Sequence, residues 1–359
     1  MPSLLIVKTS SLGDVIHMMP AVSDVRRAYP DAHISWLVDE AYVPLGELHA
    51  GVDEVIPVAW RRWRRNLTSS ATWSEMRTFS ARLRRRRYDA VIDAQGLIHS
   101  GSMARLAFGE RHGFDSHSIR EPLAASLYDV RHAVSRRLPA IERNRRLAAH
   151  ALGYEFDNTV DYALGASWRY ASGPAPYAVF VHATSRPDKT WPVASWVAVG
   201  NALGLRGLRV VLPAGSGAER ARATQMAGAL SGAVAPPTLP LRQTLDVILN
   251  ASLVIGVDTG LLHLAAALAV PTVAIFTASD PSLTGPTGDG VTAVVGGRYA
   301  PPTVDEVLRA ADAVLSRAAL SSGGEDGDDR IEDFARADVA RPAVPDVGAG
   351  GASALSARR

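Results

Sequence analysis

Four short polar segments carry the residue types of this chain that do chemistry, and each follows an apolar run. The first is "KTSSLGD", which opens on Lys8 and closes on Asp14. The second, "HATSRPDKTWP", supplies Thr184, Ser185 and Lys189. The third, "PAGSGAE", ends on Glu219, and the fourth, "VDTGLLH", holds Asp258, Thr259, Gly260 and His263. "DTG" running into an apolar helix is a ready anion site. Backbone N–H groups at the helix start point outward, Gly260 lets an anion approach closely, and the helix dipole favours negative charge. The same residues also suit a plain helix start capped by Asp258. The hydroxyls and ammonium of "TSRPDK" sharpen the anion reading, because the two loops together could hold a diphosphate.

The chain has two lysines, Lys8 and Lys189, among 38 basic residues, and both fall in these segments. An ammonium is a compact point charge on a flexible stem, and arginine's planar fork does not replace it everywhere. In a chain that uses arginine wherever any cation serves, the two lysines mark positions where size or geometry matters; coincidence is the competing explanation. Asp14 has two readings as well. A carboxylate in the first turn of a helix complements the dipole, although Ser10 or Ser11 could cap that helix without it. At the mouth of a cleft, opposite a diphosphate, the same carboxylate could take a proton from an attacking hydroxyl. His263 lies inside an apolar helix, either as a packed core histidine or, one turn beyond "DTG", facing a ligand.

The elements that must position these residues alternate. Apolar runs at Leu4–Val7, His33–Val38, Val52–Val58 and Ala90–Ile92 read as strands of a first series, with "AVSDVRRAY" as a helix between the first two. A helix is expected to begin near Asp14. "GASWRYASGPAP" has the glycine, serine and proline content of a linker. A second series follows: strands at Tyr177–His182, Arg209–Leu212, Leu253–Val257 and Thr272–Phe276, with "SWVAVGNALGL", "ERARATQMAGAL" and "TGLLHLAAAL" as helices. Strands alternating with helices of this length give right-handed βαβ units and parallel sheets. The expected fold is therefore α/β, two doubly wound domains facing across a cleft. Their bounds are 1–165 and 166–320, followed by a disordered tail at 321–359 that has little to bury. Ligands of such sheets bind outside the carboxyl ends of the strands, where the four polar segments lie.

Composition bounds the function. A length of 359 residues suggests two domains, and 47% apolar with 21% charged residues is the balance of a globular protein. There is no cysteine, which excludes disulfides and thiolate metal sites and suits a reducing cytosol. No signal peptide is apparent. The most apolar stretch, 251–276, is interrupted by Asp258, His263 and Pro271, so it is not read as a membrane span. The net charge of +2 is unevenly spread. "RRWRR" (Arg61, Arg62, Arg64, Arg65 around Trp63) and "RLRRRR" make the first part basic, and "GGEDGDDRIEDF" makes the end acidic. The basic part could face an anionic substrate or a membrane surface, or be a solvated helix face. No G-x-G-x-x-G follows the first strand, which weakens a dinucleotide dehydrogenase reading.

"KTSSLGDVIHMMPA", "VIDAQGLIHS", "IREPLA", "VHATSRPDKTWP" and "GVDTGLLHLAAAL", in this order, resemble the heptosyltransferases of glycosyltransferase family 9 over about residues 1–320. The resemblance implies the GT-B architecture, with the acceptor bound mainly by the first Rossmann-like domain and an ADP-sugar mainly by the second. It implies inverting transfer of L-glycero-D-manno-heptose from ADP-heptose to the first Kdo of Kdo2-lipid A. The enzyme would be cytoplasmic and peripheral to the inner membrane, with no nucleic acid partner, no obligatory metal and no other cofactor. Carried onto this sequence, Asp14 is the expected general base, with Lys8 beside it favouring the ionised form. Lys189, Thr184 and Ser185 are the expected diphosphate clamp, and Glu219 the contact to the nucleoside. Asp258 would touch heptose hydroxyls, and Thr259, Gly260 and His263 would hold phosphate. Arg61, Arg62, Arg64, Arg65 and Arg120 are candidates for the anionic acceptor. The competing expectations are a family member with the same donor and a different acceptor, and a non-catalytic ADP-sugar binding protein.

Overall fold

The computed structural model describes residues 1–164, 176–184, 186–287 and 291–322. Six strands form a first parallel sheet: β1 (Ser3–Val7), β2 (His33–Asp39), β3 (Glu54–Val58), β4 (Arg87–Asp93), β5 (Phe108–Phe114) and β6 (Val130–His132), in the order β3-β2-β1-β4-β5-β6. Five form a second: β7 (Tyr177–Val181), β8 (Arg209–Val211), β9 (Leu253–Val257), β10 (Thr272–Phe276) and β11 (Thr292–Gly296), in the order β11-β10-β9-β7-β8. Beyond β8, Val234 pairs with Val211 as a single parallel bridge. Counting that bridge as a residual strand, the second sheet repeats the order of the first. Both are doubly wound, and their strand order reverses beside β1 and beside β7. Met1–Ala318 is one compact unit holding both sheets.

Side-chain alternation shows how the sheets are packed. Leu4 and Ile6 enter one apolar cluster, while Leu5 and Val7 enter another on the opposite face. In β7, Val179 and Val181 join the cluster of Leu4 and Ile6, and Ala178 and Phe180 join a third with Trp191 and Trp196. One core therefore runs between the two sheets, and each sheet has a second core on its outer side. Both central strands are buried on two faces, which is why they read as unbroken apolar runs.

The expected strands are present, with shifts at their ends. β5, β6 and β11 are additional. β5 reads "FGERHGF" and is buried only over its last three residues, so its polar first half hides the pattern. The expected helix near Asp14 is two helices, Leu12–Ile16 and Met19–Ala28, with Pro20 in the first turn of the second. Proline fits there because its missing N–H would be unpaired in any case. The helix Val304–Ser322 reaches two residues into the stretch expected to be a tail. The rest of that stretch, and the expected linker at 165–176 apart from Pro176, lie outside the described residues. Among the described residues, no helix is long and apolar enough to cross a membrane.

Candidate active site

The loop after β1 is built by its neighbours. Asp93, at the end of β4, is fully buried and accepts from Gln95 N (2.8 Å), Ser100 Oγ (2.8 Å) and Tyr128 Oη (2.8 Å). Burial raises its pKa against the pull of these bonds. Gln95, held by Asp93, turns its Oε1 to Thr9 N (3.0 Å) and Ser10 N (3.1 Å). Gly96 has φ +69°, and a Cβ there would lie 2.9 Å from Ile119. A left-handed glycine therefore lets the "AQG" turn close onto the loop that bears Arg120.

Asp14 stands in the first turn of Leu12–Ile16. Its Oδ2 accepts from Ser11 N (2.8 Å) and Ser11 Oγ (3.1 Å). It thus closes the start of its own helix as the partner of the N-cap Ser11, so the serine does not cap this helix without it. Oδ1 has no hydrogen-bond partner among the described residues. Burial pushes the carboxyl pKa up, but the Lys8 charge and the Ser11 N–H outweigh it and hold the group below its ordinary value. Lys8 does not form an ion pair with Asp14. Its Nζ donates to Ala94 O (2.7 Å), and it acts on the carboxylate through space. Burial lowers the Lys8 pKa, with Asp14 and Asp93 opposing.

The second sheet supplies the facing wall. Lys189 Nζ pairs with Asp258 Oδ2 at 2.6 Å, and Ser279 Oγ donates to the same oxygen. His263 Nε2 lies 3.5 Å from Asp258 Oδ1. Burial would raise the Asp258 pKa, but these partners carry it far below the carboxylate range. A sugar hydroxyl reaching Asp258 would share oxygens that Lys189, Ser279 and His263 already engage. Glu219 Oε2 accepts from Gly215 N (2.8 Å) and Ser216 N (3.1 Å), so this carboxylate first closes the start of its own helix, Gly217–Gly228. Thr184 borders the cleft, whereas Ser185 lies outside the described residues.

Gly260 is needed for a reason that the sequence does not disclose. A Cβ there would lie 2.7 Å from Leu12 Cβ and 2.9 Å from Gly13 N. What presses on it is the start of the helix Leu12–Ile16 that follows β1 of the first sheet. The His263 ring packs edge-on against His17, with centroids 4.5 Å apart. Burial and the neighbouring His263 hold His17 down at about 3, so it is neutral near pH 7.

A cleft of about 660 Å³ runs between these walls, lined by Asp14, Lys189, Glu219, Asp258, Thr259 and His263 among others. That is the size of a nucleotide-scale ligand site. Behind Asp14 lies a second cavity of about 90 Å³, lined by Lys8, Asp14, Gln95, Arg120, Arg143 and Asn144 with Ala94, Phe114 and Ala140. Asp14 lines both. Among the described residues, no group of three or more His, Cys, Asp or Glu is placed to hold a metal ion.

The basic "RRWRR" segment lines neither cavity. Arg62 is paired with Glu40 (3.0 Å) and Glu75 (2.8 Å), and Arg61 lies 3.9 Å from Asp39. Arg64 and Arg65 are exposed. Trp63 is buried with Nε1 donating to Glu75 (2.7 Å), and Trp60 stacks on His99. Both tryptophans pack beneath the segment. Sequence reasoning missed Gln95, Arg143, Asn144 and His17. Only Gln95 left a signal, as the polar residue of a motif that follows a strand.

Residues 76–312 match the model of glycosyltransferase family 9 (heptosyltransferase). The chain is 41% identical to lipopolysaccharide heptosyltransferase 1 of Salmonella typhimurium strain LT2 over 286 residues, 79% of this chain and 90% of the relative. The solved structure of E. coli heptosyltransferase WaaC with ADP superposes with a TM-score of 0.80 at 37% identity, over 87% of this chain and 99% of WaaC. The WaaC structure with ADP-2-deoxy-2-fluoro heptose gives 0.74 at 37% identity, over 89% and 99%. On a family match across most of the chain and a relative covered almost end to end, this chain belongs to glycosyltransferase family 9.

Proposed function

We propose that this protein transfers L-glycero-D-manno-heptose from ADP-heptose to the first Kdo of Kdo2-lipid A, with inversion, in the inner core of lipopolysaccharide. The donor reading is supported by the WaaC structures solved with ADP and with a fluorinated ADP-heptose. The single observation that carries the mechanism is the place of Asp14. It borders the large cleft, whose far wall holds Lys189 and the helix start at Thr259–Gly260, and also the small cationic cavity behind. A hydroxyl held on the first sheet's side would meet Asp14, and a sugar diphosphate would lie against the second sheet's wall of the large cleft.

In the proposed step, the acceptor hydroxyl gives its proton to Asp14 Oδ1 as its oxygen bonds to the anomeric carbon. The bond from that carbon to the phosphate oxygen breaks, and its electron pair leaves with ADP. Lys189 and the backbone N–H groups at the start of Gly260–Ala267 stabilise the charge that develops on the diphosphate. We further propose that no metal is obligatory, and that the enzyme works from the cytoplasmic face of the inner membrane. A turnover assay with ADP-heptose decides between acceptors. Kdo2-lipid A should be consumed and its singly heptosylated product should not, with EDTA leaving the rate unchanged. Preference for the heptosylated acceptor would overturn the assignment.

A further inference from the structure

The loop after β10 carries two hydroxyls that the reaction step above does not use. In the second sheet β9 lies between β10 and β7. Asp258 follows β9, and Lys189 ends the short turn Pro187–Lys189 that follows β7. The β10 loop holds both. Ser279 Oγ donates to Asp258 Oδ2, the oxygen that also pairs with Lys189 Nζ at 2.6 Å. Two residues earlier, Thr277 Oγ1 reaches past the end of β9 and donates to Asp188 O (2.9 Å), the carbonyl just before Lys189. Thr277 is itself pinned, because its carbonyl accepts from Tyr299 N (2.9 Å). Lys189 and Asp258 line the large cleft, whereas Thr277 and Ser279 do not. The two hydroxyls therefore stand behind the ion pair and act through it.

Each hydroxyl answers a need of the pair. The turn that bears Lys189 is exposed at Pro187 and Asp188, so burial does not fix it. The Thr277 bond does, and it sets how far the lysine stem starts from the end of β9. Asp258 raises the other need. Its side chain is 6% exposed against 18% for Lys189, so the ammonium can turn into the cleft while the carboxylate stays behind. A lysine wholly committed to Asp258 cannot serve a diphosphate, and a buried carboxylate stripped of its cation is strongly destabilising. An ammonium has three N–H donors, and Lys189 uses one on Asp258. As it shifts towards a diphosphate, Ser279 keeps a donor on Oδ2. We propose that Thr277 and Ser279 are positioning residues for the donor diphosphate: Thr277 sets the reach of Lys189, and Ser279 holds Asp258 while Lys189 moves its charge from carboxylate to phosphate. This rests on the ADP-sugar reading of the cleft. It makes the end of β10 a working part of a site whose other residues in this wall come from β7, β8 and β9.

The test is a double-mutant cycle between Ser279 and Lys189, read by calorimetric binding of ADP. Wild type binding ADP secures the underlying reading independently; without that binding the reading falls, and the proposal with it. Ser279→Ala should weaken ADP binding by about 10-fold, the scale of a lost hydrogen bond to a charged group. In a Lys189→Ala background the same change should weaken it by less than about 2-fold, because no lysine is left to release. Ser279→Thr keeps the hydroxyl and should bind ADP within about 3-fold of wild type. Thr277→Val should follow Ser279→Ala in direction, and Thr277→Ser should restore binding. In turnover, Ser279→Ala should raise the KM for ADP-heptose and leave the acceptor KM in place. If the Ser279→Ala and Lys189→Ala penalties simply multiply, or if Ser279→Ala binds ADP as tightly as wild type, the β10 loop does not position the lysine and the proposal fails, while ADP binding by wild type leaves the donor reading standing.

Discussion

Replacing Asp14 by Asn separates the helix cap seen in the structure from the base that we propose. The cap is Oδ2, which accepts from Ser11 N and Oγ. An asparagine carbonyl can keep both contacts, so the helix start loses only the charge, worth about 0.3–1 kcal/mol near a helix N-terminus. The proposed base is Oδ1, and an amide nitrogen there cannot accept a proton. Loss of general-base help costs about 10²–10⁴-fold in kcat, or about 2.7–5.5 kcal/mol. The catalytic loss should therefore exceed the stability loss several-fold. The assay is initial-rate kinetics with saturating acceptor, alongside ADP binding by calorimetry and a thermal melt. The expected result is a melting point close to wild type, unchanged ADP affinity and kcat down at least 100-fold. A pH profile adds a second constraint. The carboxyl sits below its ordinary value, since Lys8 and the Ser11 N–H outweigh burial. A carboxyl held below its ordinary value is ionised throughout pH 7 to 5, so the rate should remain level over that span. Lys8→Met removes the main opposing influence and leaves burial, so its acid limb should move up. An Asp14→Asn enzyme within 3-fold of wild-type kcat would reduce Asp14 to a helix cap. A wild-type acid limb centred near pH 6 would refute the electrostatic account.

Other outcomes can be stated more briefly. Lys189→Ala should weaken ADP-heptose binding and slow the chemistry, and Lys189→Arg should rescue only in part, because a wide fork must replace an ammonium 2.6 Å from Asp258; donor KM and kcat for both variants check this. Changing Arg61, Arg64 and Arg65 to Ser should raise the acceptor KM and weaken its salt dependence, whereas adding Arg62→Ser should lower the melting point further, since that residue ties Glu40 to Glu75. Asp24→Asn breaks a pair with Arg145 in which both side chains are at most 3% exposed, and should cost about 3–5 kcal/mol in a denaturant melt. His17 is depressed to about 3, so between that value and its unfolded 6.5 the unfolded chain binds the extra proton. Stability should therefore fall as pH drops from 7 towards 4, and His17→Gln should flatten that slope in thermal melts.

Much of the fold was legible because both sheets bury their central strands on two faces, leaving short apolar runs with polar loops after them. β1, β7, β9 and β10 are of this kind. β5 was not legible because its first half is exposed, and β11 sits at an edge. The site divides in the same way. Asp14, Lys189 and Asp258 follow strand ends, where doubly wound sheets bind ligands, so position alone pointed to them. Arg143 had no such signal. It is one arginine of many, on the helix Ala140–Leu152, and only tertiary packing turns it towards Lys8. The "RRWRR" segment shows what sequence leaves open: only the folded chain places Trp63 in the core and pairs Arg62 with two glutamates.

The meeting of Gly13 and Gly260 has a consequence for the enzyme as a machine. Here the start of the helix Leu12–Ile16, which bears the proposed base, rests on the start of Gly260–Ala267 with almost no side chain between them, so the pair works as a bearing between two jaws. A single methyl at 260 would act as a shim. It would need about an ångström of clearance from Leu12 and from the Gly13 backbone, which cannot rotate aside as a flexible side chain could. The two sheets would then be propped apart beside the proposed reaction centre, although no charged residue of either wall is changed. Gly260→Ala would be a jammed enzyme that still fills both sites, and therefore a means of holding both substrates together before they react.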